Sequence, residues 1–236
     1  MALALILYDI LLYIMITIIY GGAFTLTYYF SVFLLLNLSN NIFLMLIPTI
    51  ILFFIISLIF MIFIVRVLLP RIKEGHYDAP NSKMFYIWTM HLTLNRLLFI
   101  QPIKNIILYS VNLRYLAFKA LGGNIAYGCS MSADIDLVDI SMISIGKNCV
   151  IGSGAAMSGH FINKDKITIG KIIIANDVNI GAFSHIAPNV NIGEKSWIGA
   201  ESKLSPLVRI GKNCVVEPTS LLNAGTRIPD NSTYPI

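Results

Sequence analysis

From Ile174 onward, apolar positions recur every six residues. Successive hexads are led by Ile174, Ile180, Ile186, Ile192, Ile198, Leu204, Ile210, Val216, Leu222 and Ile228, all aliphatic. Their fifth positions are Val178, Ser184, Val190, Ser196, Ser202, Val208, Cys214, Ser220, Thr226 and Ser232, all small or β-branched. Gly or Ala takes the second position in six of the ten. An alternating strand has a period of two and a helix one of about 3.6, so neither produces this pattern. A strict period of six predicts short flat strands joined by tight corners, three hexads to a triangular coil. The aliphatic lead fills the prism and the small fifth residue fits inside the corner. The same pattern starts earlier, with Ile145, Ile151 and Met157 as leads, after weaker hexads at Ile125, Met131 and Leu137. Residues 163–173 break the register and are expected to leave the prism at a corner. The expectation for 123–236 is an all-β left-handed parallel β-helix of about five coils with one excursion loop.

The front of the chain carries a different pattern. Ile42–Leu69 is an apolar run interrupted by a single charge, Arg66. A bilayer-spanning helix needs about 20 such residues, so this run is long enough to cross. Pro48 marks a kink or lies near one end of it. Met1–Leu38 is almost continuously apolar, interrupted by Gly21-Gly22 and closed by a polar turn over 37–41. One long helix there gives a two-helix hairpin, and two shorter ones give three crossings. Ala23–Leu36 is short for a span, which favours the hairpin. There is no basic leading region and no small-residue cleavage site of the kind a signal peptide carries. Between Lys83 and Leu121, aliphatics mix with Tyr86, Trp88, Arg96, Lys104, Tyr109, Arg114, Tyr115 and Lys119, with Gln101-Pro102 as a break. This predicts two amphipathic helices, at the membrane interface with aromatic and basic groups at headgroup level, packed beneath the β-domain, or both. The expected organisation is a transmembrane helical anchor (1–70), a basic linker with interfacial helices (71–122) and the β-helix (123–236).

Charge sharpens this division. Only 12% of the 236 residues are charged, about half the usual share. Residues 1–65 hold no Lys or Arg and a single acid, Asp9. From Arg66 to Gly122 eight basic residues face two acids, whereas Gly123–Ile236 balances nine against nine. The net +5 therefore belongs to the middle segment, which points to an anionic membrane surface and not to nucleic acid as its partner. Every basic residue lies at the end of the last hydrophobic run or beyond it, so the positive-inside rule places the β-helix in the cytoplasm, under a bacterial inner membrane. Cys129, Cys149 and Cys214 show neither disulfide-framework nor zinc-ligand spacing and read as small buried hydrophobes.

The stretch ISIGKNCVIGSGAAMSGHFI, followed by KIIIANDVNIGAFSHIAPNVNIGEKSWIGAESKLS, resembles the hexapeptide-repeat acyltransferases, the group that includes galactoside, maltose and xenobiotic acetyltransferases. The similarity covers roughly residues 143–232. The segment LRYLAFKALGGNIAYGCSMSADIDLVDISMISIGKN is also similar to membrane-bound modules at the C-terminus of poly-lysine-type peptide synthetases, which couple hydrophobic helices to this β-helix. The resemblance implies that His160, ending a Ser-Gly-His element, is the general base, and that acetyl or another acyl coenzyme A is the donor. It places pantetheine contacts at Ala182, Ala200 and Ser205. Pro206 replaces a lysine common in the family, leaving Arg209, Lys212 and Arg227 as candidates for the coenzyme's phosphates. An Asn found upstream of the histidine in sugar acetyltransferases has no match in Gly152-Ser153-Gly154, so acceptor identity does not carry over. The resemblance further implies a homotrimer, with His160 from one subunit and the coenzyme face from the next.

The residues themselves support parts of this. Acyl transfer from a thioester requires a proton to leave the attacking alcohol or amine, a task suited to imidazole. His160 occupies the fourth, exterior position of its hexad, beside the excursion. Ala182 and Ala200 both occupy third positions three hexads apart, so they should stack one strand spacing, about 4.8 Å, apart. His185 and His91 read as structural, and His76 lies in the basic linker. A zinc site of the carbonic anhydrase kind needs three converging histidines, and the repeats hold only His160 and His185, on different faces. The sequence thus suggests a membrane-anchored acyl-CoA-dependent acyltransferase, without a metal, acting on a membrane-associated glycan, lipid-linked sugar or peptide. The alternative is a scaffold whose β-helix only trimerises and docks a partner.

Overall fold

In the computed structural model, residues 2–37 and 43–235 are described. Most of the polar turn expected over 37–41, and the side chain of Asp9, lie outside the described residues. Two long helices, α1 (Ala2–Asn37) and α2 (Phe43–Leu68), lead into a short strand β1 (Gly75–Asp78) and three helices. These are α3 (Lys83–Leu98), α4 (Ile103–Tyr109) and α5 (Val111–Ala120). Strands β2 (Asn124–Ile125), β3 (Ser130–Met131) and β4 (Asp136–Val138) form the first coil of a solenoid, and β5 (Ile143–Ile145), β6 (Val150–Ile151) and β7 (Ala156–Ser158) the second. A hairpin of β8 (His160–Asn163) and β9 (Lys166–Ile169) follows, and β10 (Ile172–Ile174) resumes the coils.

The solenoid is a left-handed parallel β-helix. Six, six and five strands line its three faces, making five full coils and two sides of a sixth. The extra side is Thr233–Tyr234, beyond the last aliphatic lead. All ten leads from Ile174 to Ile228 are buried, as are Ser184, Ser196, Ser202 and Ser220 at fifth positions. A buried hydroxyl must find a partner. Ser184, Ser196 and Ser202 donate across the coil to the carbonyls of Gly199, Gly211 and Glu217. The corners are tight enough to force the fourth residue into left-handed backbone geometry, even where it is Phe183, Glu201 or Leu207. Such residues rarely adopt positive φ, so the coil's hydrogen bonds must hold them there.

The two long helices pack antiparallel. Gly22 lies against Met61, while Phe30 stacks on Phe53 with ring centroids 3.9 Å apart. Helix α1 runs unbroken through Gly21-Gly22, and the missing Cβ at Gly22 lets α2 pack close: a Cβ there would sit 2.5 Å from the Met61 methyl. Thr17, Thr25, Thr27 and Ser31 return their hydroxyls to carbonyls four residues back, so these polar groups need no water. Tyr20 of α1 donates to the Leu97 carbonyl of α3 at 2.7 Å, tying the long helices to the short ones.

Two features differ from the expectations, and one open alternative is resolved. Ser110 ends α4 and caps α5 through Leu113 N–H, so the segment after Gln101-Pro102 is two helices and not one. Of the placements left open for the short helices, Trp88 and Arg114 take the one beneath the β-domain, where both are buried. Arg114 closes the first coil by donating to the carbonyls of Leu108, Met131 and Cys129. Its guanidinium thus supplies partners that an open solenoid end lacks. The excursion, expected over 163–173, starts at His160, and Ile172 is already back in the prism. The alternating side chains of 160–169 form an antiparallel hairpin, which takes β1 as a third strand.

Candidate active site

His160 sits where the chain leaves the prism. Strand β7 ends at Ser158, Gly159 turns the corner, and His160 opens β8, paired with Ile169 of β9. One coil earlier, β4 lies parallel to β7 with Val138 opposite Ser158. Asp139 follows directly and takes left-handed geometry (φ 62°), after which Ile140–Met142 makes a 3-10 turn closed by Met142 N–H on the Asp139 carbonyl. That turn sits against Gly159. A Cβ on Gly159 would lie 2.8 Å from the Met142 Cβ and 3.1 Å from that of Asp139. Glycine before the histidine is therefore what lets Asp139 reach it.

The carboxylate is fully used. Its Oδ2 lies 2.6 Å from His160 Nδ1, and its Oδ1 accepts from Trp88 Nε1 at 2.8 Å. Asp139 is only 3% exposed, and a charge so buried persists only when its oxygens are paired in this way. The Trp88 ring lies 4.5 Å, centroid to centroid, from the imidazole. The Ser158 hydroxyl sits 3.0 Å from His160 Nδ1 and donates to the His160 carbonyl, fixing the backbone at the same corner. With Nδ1–H given to Asp139, Nε2 carries the lone pair and can accept a proton. The buried carboxylate orients the ring and stabilises the imidazolium that would form. The His160 side chain keeps 21% exposure, enough for a small group to approach.

Asp139 and Trp88 were not anticipated as site residues. A signal for Asp139 exists: Leu137 and Ile145 are eight residues apart where six is the rule, so two extra residues had to bulge at that corner. Trp88 carries no local signal, since only the docking of α3 brings it there. The remaining histidines lie elsewhere. His76 Nδ1 is 2.8 Å from the Thr168 hydroxyl, His91 Nε2 is 2.9 Å from the Pro70 carbonyl, and His185 sits on a coil face between Ala156 and Lys203.

The residues assigned to the coenzyme fall into separate groups. Asn179–Ile180 pairs with Trp197–Ile198, which stacks Ala182 on Ala200 at the corner following that face. Among the described residues, neither alanine's N–H donates to a protein group, while their carbonyls accept from Glu201 and Thr219. The column thus offers free donors beside small side chains, a fit for the amide carbonyls of a thin pantetheine arm. Ser205 lies one corner further on, in the column of Ser158 and Ala187, about 10 Å and two coils from Ser158. Arg209 and Arg227 pair on a third face, and Lys212 is engaged by Glu194 at 3.4 Å. Within one chain the structure therefore does not bring His160 together with Ala182 and Ala200.

No protein-family model and no curated protein matches the chain. Among solved structures, it is similar to a hexapeptide-repeat-containing acetyltransferase from Vibrio cholerae O1 biovar eltor, complexed with acetyl coenzyme A. The identity is 17%, the TM-score 0.50, and the match covers 69% of this chain and 88% of that one. A GDP-perosamine N-acetyltransferase mutant from Caulobacter crescentus, in complex with coenzyme A and GDP-perosamine, matches at 19% identity and a TM-score of 0.23, over 52% of this chain and 60% of that one. The Vibrio likeness agrees with the coil geometry: the fold is the one that hexapeptide-repeat acetyltransferases use.

Proposed function

We propose that the chain is a membrane-anchored acyltransferase that moves an acetyl or other acyl group from coenzyme A to a hydroxyl or amine of a membrane-associated acceptor. The observation that carries this is the buried Asp139–His160 pair, which leaves Nε2 as the one free nitrogen of a held imidazole. His160 Nε2 removes the proton from the acceptor O–H or N–H as it attacks the thioester carbonyl. The resulting tetrahedral species expels the coenzyme thiolate, which is protonated by the His160 imidazolium, returning the imidazole to its neutral form. The bond formed is an ester or an amide, and the bond broken is the thioester C–S.

The anchor supports the membrane part of the proposal. Ile10–Leu36 and Leu46–Leu68 are long and apolar enough to cross a bilayer. Large side chains such as Ile14, Ile18, Phe60 and Phe63 are about half exposed or more on the pair. A core helix of a soluble domain would bury them. The basic residues that follow Leu69 support an orientation with the β-helix at the cytoplasmic surface. The stacked alanines and His160 occupy different corners, so a neighbouring chain is the natural source of the coenzyme column. A homotrimer is the assembly proposed.

The test is a pair of measurements on the full chain in detergent. Acetyl coenzyme A should raise the unfolding temperature of both the wild type and His160→Asn. Mass spectrometry of envelope lipids and glycans should show an acyl group that disappears from cells carrying only His160→Asn. A protein with neither coenzyme binding nor a His160-dependent product is a scaffold and not an enzyme.

A further inference from the structure

A second concave site lies beside the Asp139–His160 pair, where the last turn of α2 meets the β-helix. Its volume is about 250 Å³, and its lining includes Arg66, Arg71, His91, Ser141, Met142 and Lys171. Three links join it to the proposed active site. Ser141 and Met142 belong to the 3-10 turn that begins at Asp139. His91 lies one helical turn beyond Trp88 on α3. Lys171 is two residues past Ile169, which pairs with His160.

The charges there are unbalanced. Among the described residues, neither Arg66 nor Arg71 has an ion-pair partner within 4 Å. Arg66 Nε is buried with no hydrogen-bond partner, beside Gly122, whose missing Cβ makes room for the guanidinium. Lys171, which also lines the pocket, is engaged by Glu74, which pairs with its Nζ at 3.1 Å and accepts from its N–H. Two arginines therefore line one pocket, and among the described residues no carboxylate lies within ion-pair distance of either. Arginine forks match phosphate oxygens bidentately, and a buried unpaired N–H is costly unless a ligand uses it. The position limits the source of the phosphate, since Arg66 closes α2 and Arg71 follows three residues after its end.

We propose that this pocket binds the phosphate of a membrane lipid, holding the acceptor's anchor while its acylated group faces His160. This rests on the acyltransferase reading for its purpose, but the site itself is defined without it. Arg66 and Arg71 supply the phosphate contacts, and Glu74 moderates them by occupying Lys171. The coenzyme's own phosphates share this chemistry and are the competing source.

The test uses the full chain in non-ionic detergent and equilibrium binding of short-chain phosphatidic acid, with short-chain phosphatidylcholine, inorganic pyrophosphate and acetyl coenzyme A as separate ligands. Phosphatidic acid should bind tightest of the two lipids. Arg71→Gln, at an exposed position where folding is not at stake, should weaken it about tenfold. Glu74→Gln, which frees Lys171, should tighten it. Lys83→Gln, an exposed basic residue elsewhere in the same segment, should leave it unchanged, and so should His160→Asn. The inference is overturned if Arg71→Gln has no effect, or if Lys83→Gln weakens binding equally, since the attraction is then diffuse. It is also overturned if pyrophosphate binds as well as the lipid, or if Arg71→Gln weakens acetyl coenzyme A instead. Lipid binding that fails while His160-dependent acylation persists removes this site alone; binding that holds without acylation removes the acyltransferase reading alone.

Discussion

Asp139 and His160 meet across two neighbouring coils, with Asp139 Oδ2 lying 2.6 Å from His160 Nδ1 at the corner where the chain leaves the prism. Neither residue follows the hexad rule. Asp139 sits in a two-residue bulge, and His160 opens the hairpin that replaces a corner. A regular coil would place its fourth residue facing solvent with no partner. The two irregularities together give an imidazole held from one side by a buried anion.

That geometry sets the first expectation. Asp139→Asn keeps the size of the side chain but removes the charge and the preference for Nδ1–H. Turnover with acetyl coenzyme A should fall by a factor of about 10² to 10⁴, as for other positioned acid–base groups. Coenzyme binding should be unchanged, which separates a catalytic loss from misfolding.

Trp88 acts through the same carboxylate. Trp88→Phe retains most of the packing and deletes the N–H that satisfies Asp139 Oδ1. Leaving a buried carboxylate oxygen without its donor should cost about 1 to 3 kcal/mol of stability in chemical denaturation. It should also lower kcat by about tenfold, because the carboxylate is then free to turn. Unchanged kinetics would make the ring packing alone.

Ala200 bears on the coenzyme path. Ala200→Leu adds branched bulk to the column formed with Ala182, outside the prism core. The KM for acetyl coenzyme A should rise about tenfold or more while kcat is largely kept, as for a change that removes binding common to ground and transition states. A steady-state titration of acetyl coenzyme A reads this directly.

His91 gives a pH dependence. Burial lowers its pKa below the usual value; the Pro70 carbonyl opposes this, Arg66 adds to it and Asp139 opposes it. The unfolded chain therefore takes up the proton first as pH falls. Stability should be complete above about pH 6.5 and lost progressively below it, down through the lower pKa of the folded state. In denaturant titrations between about pH 7 and about pH 5, this part of the slope should vanish in His91→Gln.

The sequence made the prism legible because an inward side chain recurs once per face, and nothing else imposes a period of six. Ile174 through Ile228 could be assigned without tertiary information for that reason. His160 was visible through its resemblance and its place beside the break in register. Its partners were harder to see. Asp139 depends on an eight-residue spacing that looks like noise in the weaker early hexads. Trp88 could be a headgroup aromatic or a packed one, because Met84, Tyr86 and Arg96 around it fit an interfacial helix equally well. Arg114 was ambiguous for the same reason: a basic residue on an amphipathic helix gives no sign that two carbonyls of the first coil and one of α4 await it. Local pattern specifies which face is apolar, whereas docking decides what covers that face.

The central claim is transfer of an acyl group by His160 to something held in the membrane, and the most direct measurement follows the acyl group itself. Membranes containing the full chain are incubated with coenzyme A radiolabelled in its acetyl group, and the label is counted in the lipid extract. The account expects label to accumulate with the wild type and to drop to background with His160→Asn, although the variant still binds the coenzyme. Equal labelling by the variant, or none by the wild type in membranes from its own cells, would contradict it.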